Sequence, residues 1–198
     1  VVAFPDVYTI GMSHLGCQIL YWIANHTPGV CAERTYCPWW DAEEVMRARR
    51  IPLFTWDTRQ PVRTADLLAI SLQYELCFTS VLNLLDLAGI PLRAGERSDD
   101  DPLVIAGGPC AFNPEPLADL FDVVLVGEGE ELAGEFLDLV VASGAAGRDA
   151  PPAADSGAEG AELPARRAEP DGRDVCPHEV RSILARAGQV GGRPDADR

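Results

Sequence analysis

The chain contains no lysine. All 16 of its basic residues are arginine, set against 31 aspartates and glutamates, for a net charge of −15. A surface this acidic repels phosphate backbones, which argues against nucleic acid as a partner. Long apolar runs are also missing: no stretch approaches the roughly 18 apolar residues that a membrane-spanning helix needs. Nucleotide fingerprints are absent too. Gly11 and Gly16 are spaced too widely for GxGxxG, and there is no Walker A sequence. Histidine is scarce, with 3 residues, and the adjacent Ser13–His14 pair is no catalytic triad. His14 reads instead as a cap or packing residue at a helix start. The six cysteines (17, 31, 37, 77, 110 and 176) fall into neither CxxC nor CxxxCxxC spacing. Cys31, Cys37 and His26 come nearest to a metal set, but a strand between the two cysteines would point their side chains apart. Reduced thiols in a cytoplasmic protein are therefore expected, several of them buried as small hydrophobes. No signal peptide is visible. The chain opens directly on VVAF and not on Met, so it reads as an excerpt of a longer product.

Hydrophobic residues make up 47% of the chain, ample for a core. The pattern is organised around residues 103–131, LVIAGGPCAFNPEPLADLFDVVLVGEGEE. Here a buried strand (Leu103–Ala106) ends in the turn Gly107–Gly108–Pro109. A second strand (Val123–Val126) ends in Gly127–Glu128–Gly129. Short apolar runs closed by glycine suggest parallel strands whose carboxyl ends carry tight loops, the edge at which open α/β sheets bind ligands.

Before this stretch, strands are expected at Val1–Phe4, Val30–Tyr36, Ile51–Phe54 and Asp66–Leu72. A helix near residues 12–27 should turn Met12, Leu15, Ile19, Trp22 and Ile23 inward. A second should start at an Asp41 cap and run over Ala42–Arg50. A third should span Glu75–Ala88, with Phe78, Val81, Leu82 and Leu85 on its apolar face and Gly89 at its end. A last helix follows Gly129, with Leu132, Phe136, Leu139 and Val140 inward. Strands alternating with helices of this length predict a three-layer α/β fold, a flavodoxin-like (Rossmann-like) doubly wound parallel sheet.

Polar side chains crowd the end of the Asp66–Leu72 strand, which makes Ser71, Gln73, Tyr74 and Glu75 pocket candidates. Asp6, just past the first strand, most simply caps the next helix. Trp39–Trp40 should pack beneath their loop or line a pocket. From residue 145 onward 25 of 54 residues are Ala, Gly or Pro, a composition that cannot offset its ordering entropy. The folded unit is thus expected to end near residue 144, with 145–198 a largely disordered linker that holds at most one short amphipathic helix, Pro177–Ala187.

Three segments together, FPDVYTIGMSHLG, ISLQYELCFTSVLNLLDLAGIPL and VIAGGPCAFNPEPLADLFDVVLVGEGEE, closely resemble the N-terminal part of a radical SAM protein family in which a cobalamin-binding-like domain precedes the radical SAM barrel. The resemblance implies strand-end loops that face a corrin. Asp6, Tyr8 and Gly11 fall where such domains carry an Asp-x-His-x-x-Gly loop, with Tyr8 replacing the histidine that ligates cobalt. His14, three residues past Gly11, is a poor substitute. Ser71 matches a second-motif serine, and Gln73 stands where leucine is expected. Gly107 and Gly108, followed by Pro109, match the glycine pair that lets the nucleotide tail thread between strand and helix. Gly127 and Glu128 belong to the accompanying GEGE turn.

The resemblance further implies a [4Fe–4S] cluster and S-adenosylmethionine in the catalytic barrel. That barrel would be this domain's partner within the parent chain and the source of a 5′-deoxyadenosyl radical. CxxxCxxC, the motif that holds the cluster, does not occur here, so this chain should not perform radical chemistry by itself. Two other readings stay open: a vestigial domain that keeps the fold and only docks the barrel or a partner, and a flavodoxin-like domain for another nucleotide or a flavin.

Overall fold

The structure, a computed structural model, describes residues 1–142. The expectations for the tail, including Cys176 and Pro177–Ala187, lie outside the described residues. Five strands form one all-parallel sheet: β1 (Val2–Val7), β2 (Arg34–Cys37), β3 (Leu67–Ser71), β4 (Leu103–Gly107) and β5 (Val123–Val124), in the order β2-β1-β3-β4-β5. This is the flavodoxin-like order, and its strand sequence reverses between β1 and β3. The doubly wound α/β fold expected from the alternation is the one observed.

The helices are a short α1 (Tyr8–Gly11), α2 (Leu15–His26), α3 (Trp40–Arg49), α4 (Phe78–Ala88) and α5 (Gly129–Ala142). Side chains alternate across the sheet because strand periodicity is two. On one face Leu68, Ile70, Val104 and Ala106 pack against Val81, Leu84, Leu85 and Ala88 of α4 and against Met46 of α3, all buried. On the other face Leu103, Ile105 and Val123 meet Phe136 and Val140 of α5, with Leu67 and Ala69 only partly covered. Helices α2 and α5 lie side by side on this second face, where Leu137 of α5 packs with Ala24 of α2.

Several local expectations need correction. The second strand is Arg34–Cys37 and not Val30–Tyr36, because the Asn25 side chain holds Ala32 in a loop: Asn25 Oδ1 accepts the Ala32 N–H at 2.9 Å and Nδ2 donates to the Ala32 carbonyl at 3.2 Å. Ile51–Phe54 adds no strand to the sheet. With Pro52 inside it and Pro61 opposite, it makes one antiparallel bridge, Phe54 to Pro61, as expected where proline removes ladder donors. Met12 lies before α2 and is exposed, as are Leu15 and Trp22 on α2, where Cys17 and Ala24 are the buried positions, so the inward stripe is the small-residue one. Leu82 likewise faces out. The third element opens with a 3-10 turn at Glu75–Cys77 before α4 begins at Phe78. The α3 cap position is Trp39, two residues before Asp41. The tryptophan pair does not pack beneath its loop, since Trp39 and Trp40 are 57% and 69% exposed.

A buried ion pair fastens two of the loops between helices and strands. The Arg97 guanidinium, with no exposed side-chain surface, meets Asp122 at 3.0 Å and also donates to the carbonyls of Pro91, Leu92 and Leu120. Asp122 accepts the Val104 N–H at 2.8 Å. Breaking such a pair leaves a desolvated charge, so Arg97→Ala should cost about 3–5 kcal/mol. Arg47→Ala, which removes exposed pairs with Glu43 and Asp86, should cost under about 1 kcal/mol. Urea unfolding of both variants measures the contrast.

Asp101, buried on the loop before β4, is pushed up by burial. The Ser98 N–H and hydroxyl and the Arg63 guanidinium outweigh that push and hold its carboxyl below the ordinary value. A carboxylate with a lowered folded value stabilises the fold above its unfolded value, near pH 4, and that contribution fades as pH falls through the folded value. Asp101→Asn should therefore flatten the acid limb of a stability–pH profile, as measured by thermal unfolding between neutral pH and pH 2.

Candidate functional site

The second face of the sheet is incompletely closed, and the cause lies in its side chains. Helix α2 turns Gly16, Leu20 and Ala24 toward the sheet at i, i+4 and i+8, and α5 opposes them with Gly129, Ala133 and Leu137. Small residues on both helices, with Ala69 at the centre of β3, leave a cavity of about 380 Å³ between sheet and helices. Val2, Leu67, Ile105, Leu125, Phe136 and Val140 supply most of its apolar wall. Its polar end lies at the carboxyl ends of β3 and β4, with Ser71, Gln73, His14, Gly107 and Gly108 around it.

Six of the residues singled out from sequence line this cavity: His14, Ser71, Gln73, Gly107, Gly108 and Gly127. His14 is the N-cap of α2, its Nδ1 accepting the Cys17 N–H at 3.2 Å. Cap geometry therefore puts the ring proton on Nε2. Gln73 Nε2 donates to Ser71 Oγ at 2.6 Å. The buried Ser71 hydroxyl also bonds to the Cys17 thiol, which burial raises above its ordinary value and this bond partly lowers.

The two glycines of the GGP turn have different reasons to be glycine. Gly108 has φ +104°, and a Cβ there would lie 2.7 Å from the Leu72 carbonyl oxygen, so the turn itself excludes a side chain. The same turn is held by hydrogen bonds from the Leu72 N–H to the Gly107 carbonyl and from the Cys110 N–H to the Leu72 carbonyl. At Gly107 a Cβ would find only ordinary contact, 3.7 Å from the Leu125 carbonyl oxygen. Nothing in the protein's own packing forbids a side chain at Gly107, and what its absence leaves is open cavity.

The remaining five do not line the cavity. Asp6 accepts the Tyr74 hydroxyl proton and, at 2.6 Å, the Val7 N–H. The bond to Asp6, with burial, lifts the Tyr74 phenol to about 12. Tyr8 stacks on Trp56 with ring centroids 4.0 Å apart and meets Tyr36 edge-on. Gly11 is a packing glycine, because a Cβ would come within 2.5 Å of the Tyr36 ring and 2.9 Å of Phe4. Pro109 opens a 3-10 turn, and Glu128 is exposed before α5. Cys17, Trp56 and the small residues of α2 and α5 were not picked out from sequence as site-forming. The i, i+4 stripe Gly16–Leu20–Ala24 was the available signal for the cavity.

The described residues offer no ligand set for a [4Fe–4S] cluster: no three His, Cys, Asp or Glu side chains are grouped to hold a metal ion. Cys17, Cys37 and Cys77 are buried thiols as expected, and burial carries Cys37 to about 12. No helix among the described residues is long and apolar enough to cross a membrane. What the described residues do form is an apolar slot bounded by two helices, with Gly107, where a Cβ would meet only ordinary contacts, in its lining.

No curated protein and no solved structure matches the chain. A protein-family model described as radical SAM proteins, N-terminal, matches residues 16–155, which takes in everything from α2 through α5 and leaves β1 and the Asp6–Gly11 loop outside the match. With that model covering most of its length, the chain belongs to the family of N-terminal regions of radical SAM proteins.

Proposed function

We propose that this domain is the cobalamin-holding module of a radical SAM protein, with S-adenosylmethionine and the [4Fe–4S] cluster in the catalytic part of that protein. The observation that carries the proposal is the cavity between β1, β3, β4 and helices α2 and α5, lined in part by Gly107, where a Cβ would meet only ordinary contacts. Leu67, Ile105, Leu125 and Phe136 make the slot apolar, and the Gln73–Ser71 pair and His14 put polar groups at the end of it nearest the carboxyl ends of β3 and β4. Bound cobalamin supplies methyl or electron transfer to a substrate radical. No histidine stands in the Asp6–Gly11 loop, and Tyr8 is committed to its stack on Trp56, so the protein gives cobalt no imidazole from that loop.

A second reading is a module that keeps the fold and holds no corrin. The specific observation in its favour is that Asp6 and Tyr8, the loop residues expected to meet the corrin, are both satisfied within the protein, by Tyr74 and Trp56.

Absorption titration of the 198-residue chain with hydroxocobalamin and methylcobalamin separates the two. Retained corrin with a base-off spectrum is the expected result, and no retention at tens of micromolar would favour the second reading. Gly107→Val is the informative variant because it fills the slot without straining the turn. It should weaken corrin retention by at least about tenfold, equivalent to roughly 1.4 kcal/mol, with the unfolding midpoint little changed. Equal retention by Gly107→Val and the parent chain contradicts threading at this glycine. Tyr8→Phe keeps the stack and should leave the spectrum as it is.

A further inference from the structure

Among the described residues, the larger apolar stripe of α2 is left uncovered. Leu15 and Trp22 are 67% and 59% exposed, Ile19 and Ile23 are only partly buried, and Met12, just before the helix, is exposed too. Positions 12, 15, 19, 22 and 23 share one helix face. Trp22 is held on that face by its stack on His26, ring centroids 3.9 Å apart. The 12 residues of α2 include no Asp, Glu or Arg, although 24% of the chain is charged. A surface helix ordinarily turns charged side chains to water, and a helix without them is ordinarily covered. The stripe points away from the sheet, because Cys17 and Ala24 are the buried positions and Gly16 and Leu20 line the cavity. A group held in the slot therefore leaves it bare.

The chain itself supplies an occupant. Residues 145–198 hold six large apolar side chains, and five of them, Val175, Val180, Ile183, Leu184 and Val190, fall within 16 residues. Val180, Ile183, Leu184 and Ala187 recur at helical spacing between Pro177 and Gly188, residue types that favour a helix start and a helix stop. At about 100° per residue, Arg181 and Arg186 flank that apolar face on either side. Helix α5 packs beside α2 and exposes Glu131, Glu135 and Asp138, so carboxylates stand ready for one of these arginines. The connection is long enough. Helix α5 ends against the end of α2, since a Cβ on Gly29 would lie 3.3 Å from Val141. From Ala142, 34 residues lead to Pro177. A coil of that length has a root-mean-square reach of about 30 Å, against about 18 Å for the whole of α2.

We infer that residues 177–187 dock as an amphipathic helix on the outer face of α2, with Val180, Ile183 and Leu184 laid on Leu15, Ile19 and Trp22. The inference rests on this stripe and on the tail sequence, and not on the cobalamin reading. A flexible tether gives the segment an effective concentration on the order of millimolar, so a weak contact suffices to keep it docked most of the time. Hydroxyl-radical footprinting of the 198-residue chain tests it, with Ile183→Asp and Leu184→Asp combined as the variant, because these substitutions leave the α/β domain untouched. Labelling of Leu15 and Trp22 should rise by about threefold in the variant, as expected when a segment docked most of the time is released. Trp39 and Trp40, exposed on a loop away from α2, should label equally in both. Limited trypsin digestion gives a reciprocal reading. In the parent chain, cleavage after Arg181 and Arg186 should be slower than after Arg167, and Leu15→Glu, a change at an exposed position, should remove that difference. Three results overturn the inference: labelling of Leu15 and Trp22 that is the same in parent and variant, cleavage after Arg181 and Arg186 as fast as after Arg167 in the parent chain, or protection of Trp22 that grows with protein concentration and persists in the variant. The last would make the occupant a second copy. No readout involves a corrin, so this inference and the cobalamin proposal can fail independently.

Discussion

Helices α2 and α5 cannot close over the sheet, and most of what this domain is able to hold follows from that. Their facing positions are Gly16, Ala24, Gly129 and Ala133, and between them lies Ala69 at the centre of β3. Interiors normally pack to the density of organic crystals, and the opposite face here does so, with Leu68, Ile70, Val81, Leu84 and Leu85 at 0–1% exposure. The asymmetry has an energetic sense. The α4 face and the Arg97–Asp122 pair fix the frame, and the α2–α5 face can then stay open without loss of the fold. The reversal of strand order between β1 and β3 places the polar mouth of that opening beside Ser71 and Gln73, where the connections diverge.

The same edge carries two kinds of surface. Toward β3 and β4 it is a mouth with a glycine threshold and a small hydrogen-bonded pair. Around that mouth, out to Trp40 beyond β2 and Val126 beyond β5, it is apolar and acidic.

Much of the fold was legible because strand and helix announce themselves by period. Leu103–Gly107 is a run of apolar residues closed by glycine, and the sheet uses it as read. Position-by-position transfer of site residues was less reliable, for physical reasons that differ from residue to residue. Gly107 and Gly108 look identical in sequence, yet one is demanded by its own turn and the other by nothing in the protein. Asp6 and Tyr8 sit at the expected loop, but Tyr74 and Trp56, distant in sequence, claim their side chains. The inward face of α2 was misread because Met12, Leu15 and Trp22 carry the larger hydrophobic signal, while the tertiary packing selects the small residues. Hydrophobicity alone does not say that a face is meant to remain unfilled.

A crystal structure of the chain grown with hydroxocobalamin should show density for the corrin's appended nucleotide between α2 and α5, passing Gly107, with no protein histidine on cobalt. An α2–α5 slot that stays empty while the corrin binds elsewhere, or does not bind, would contradict the cobalamin proposal.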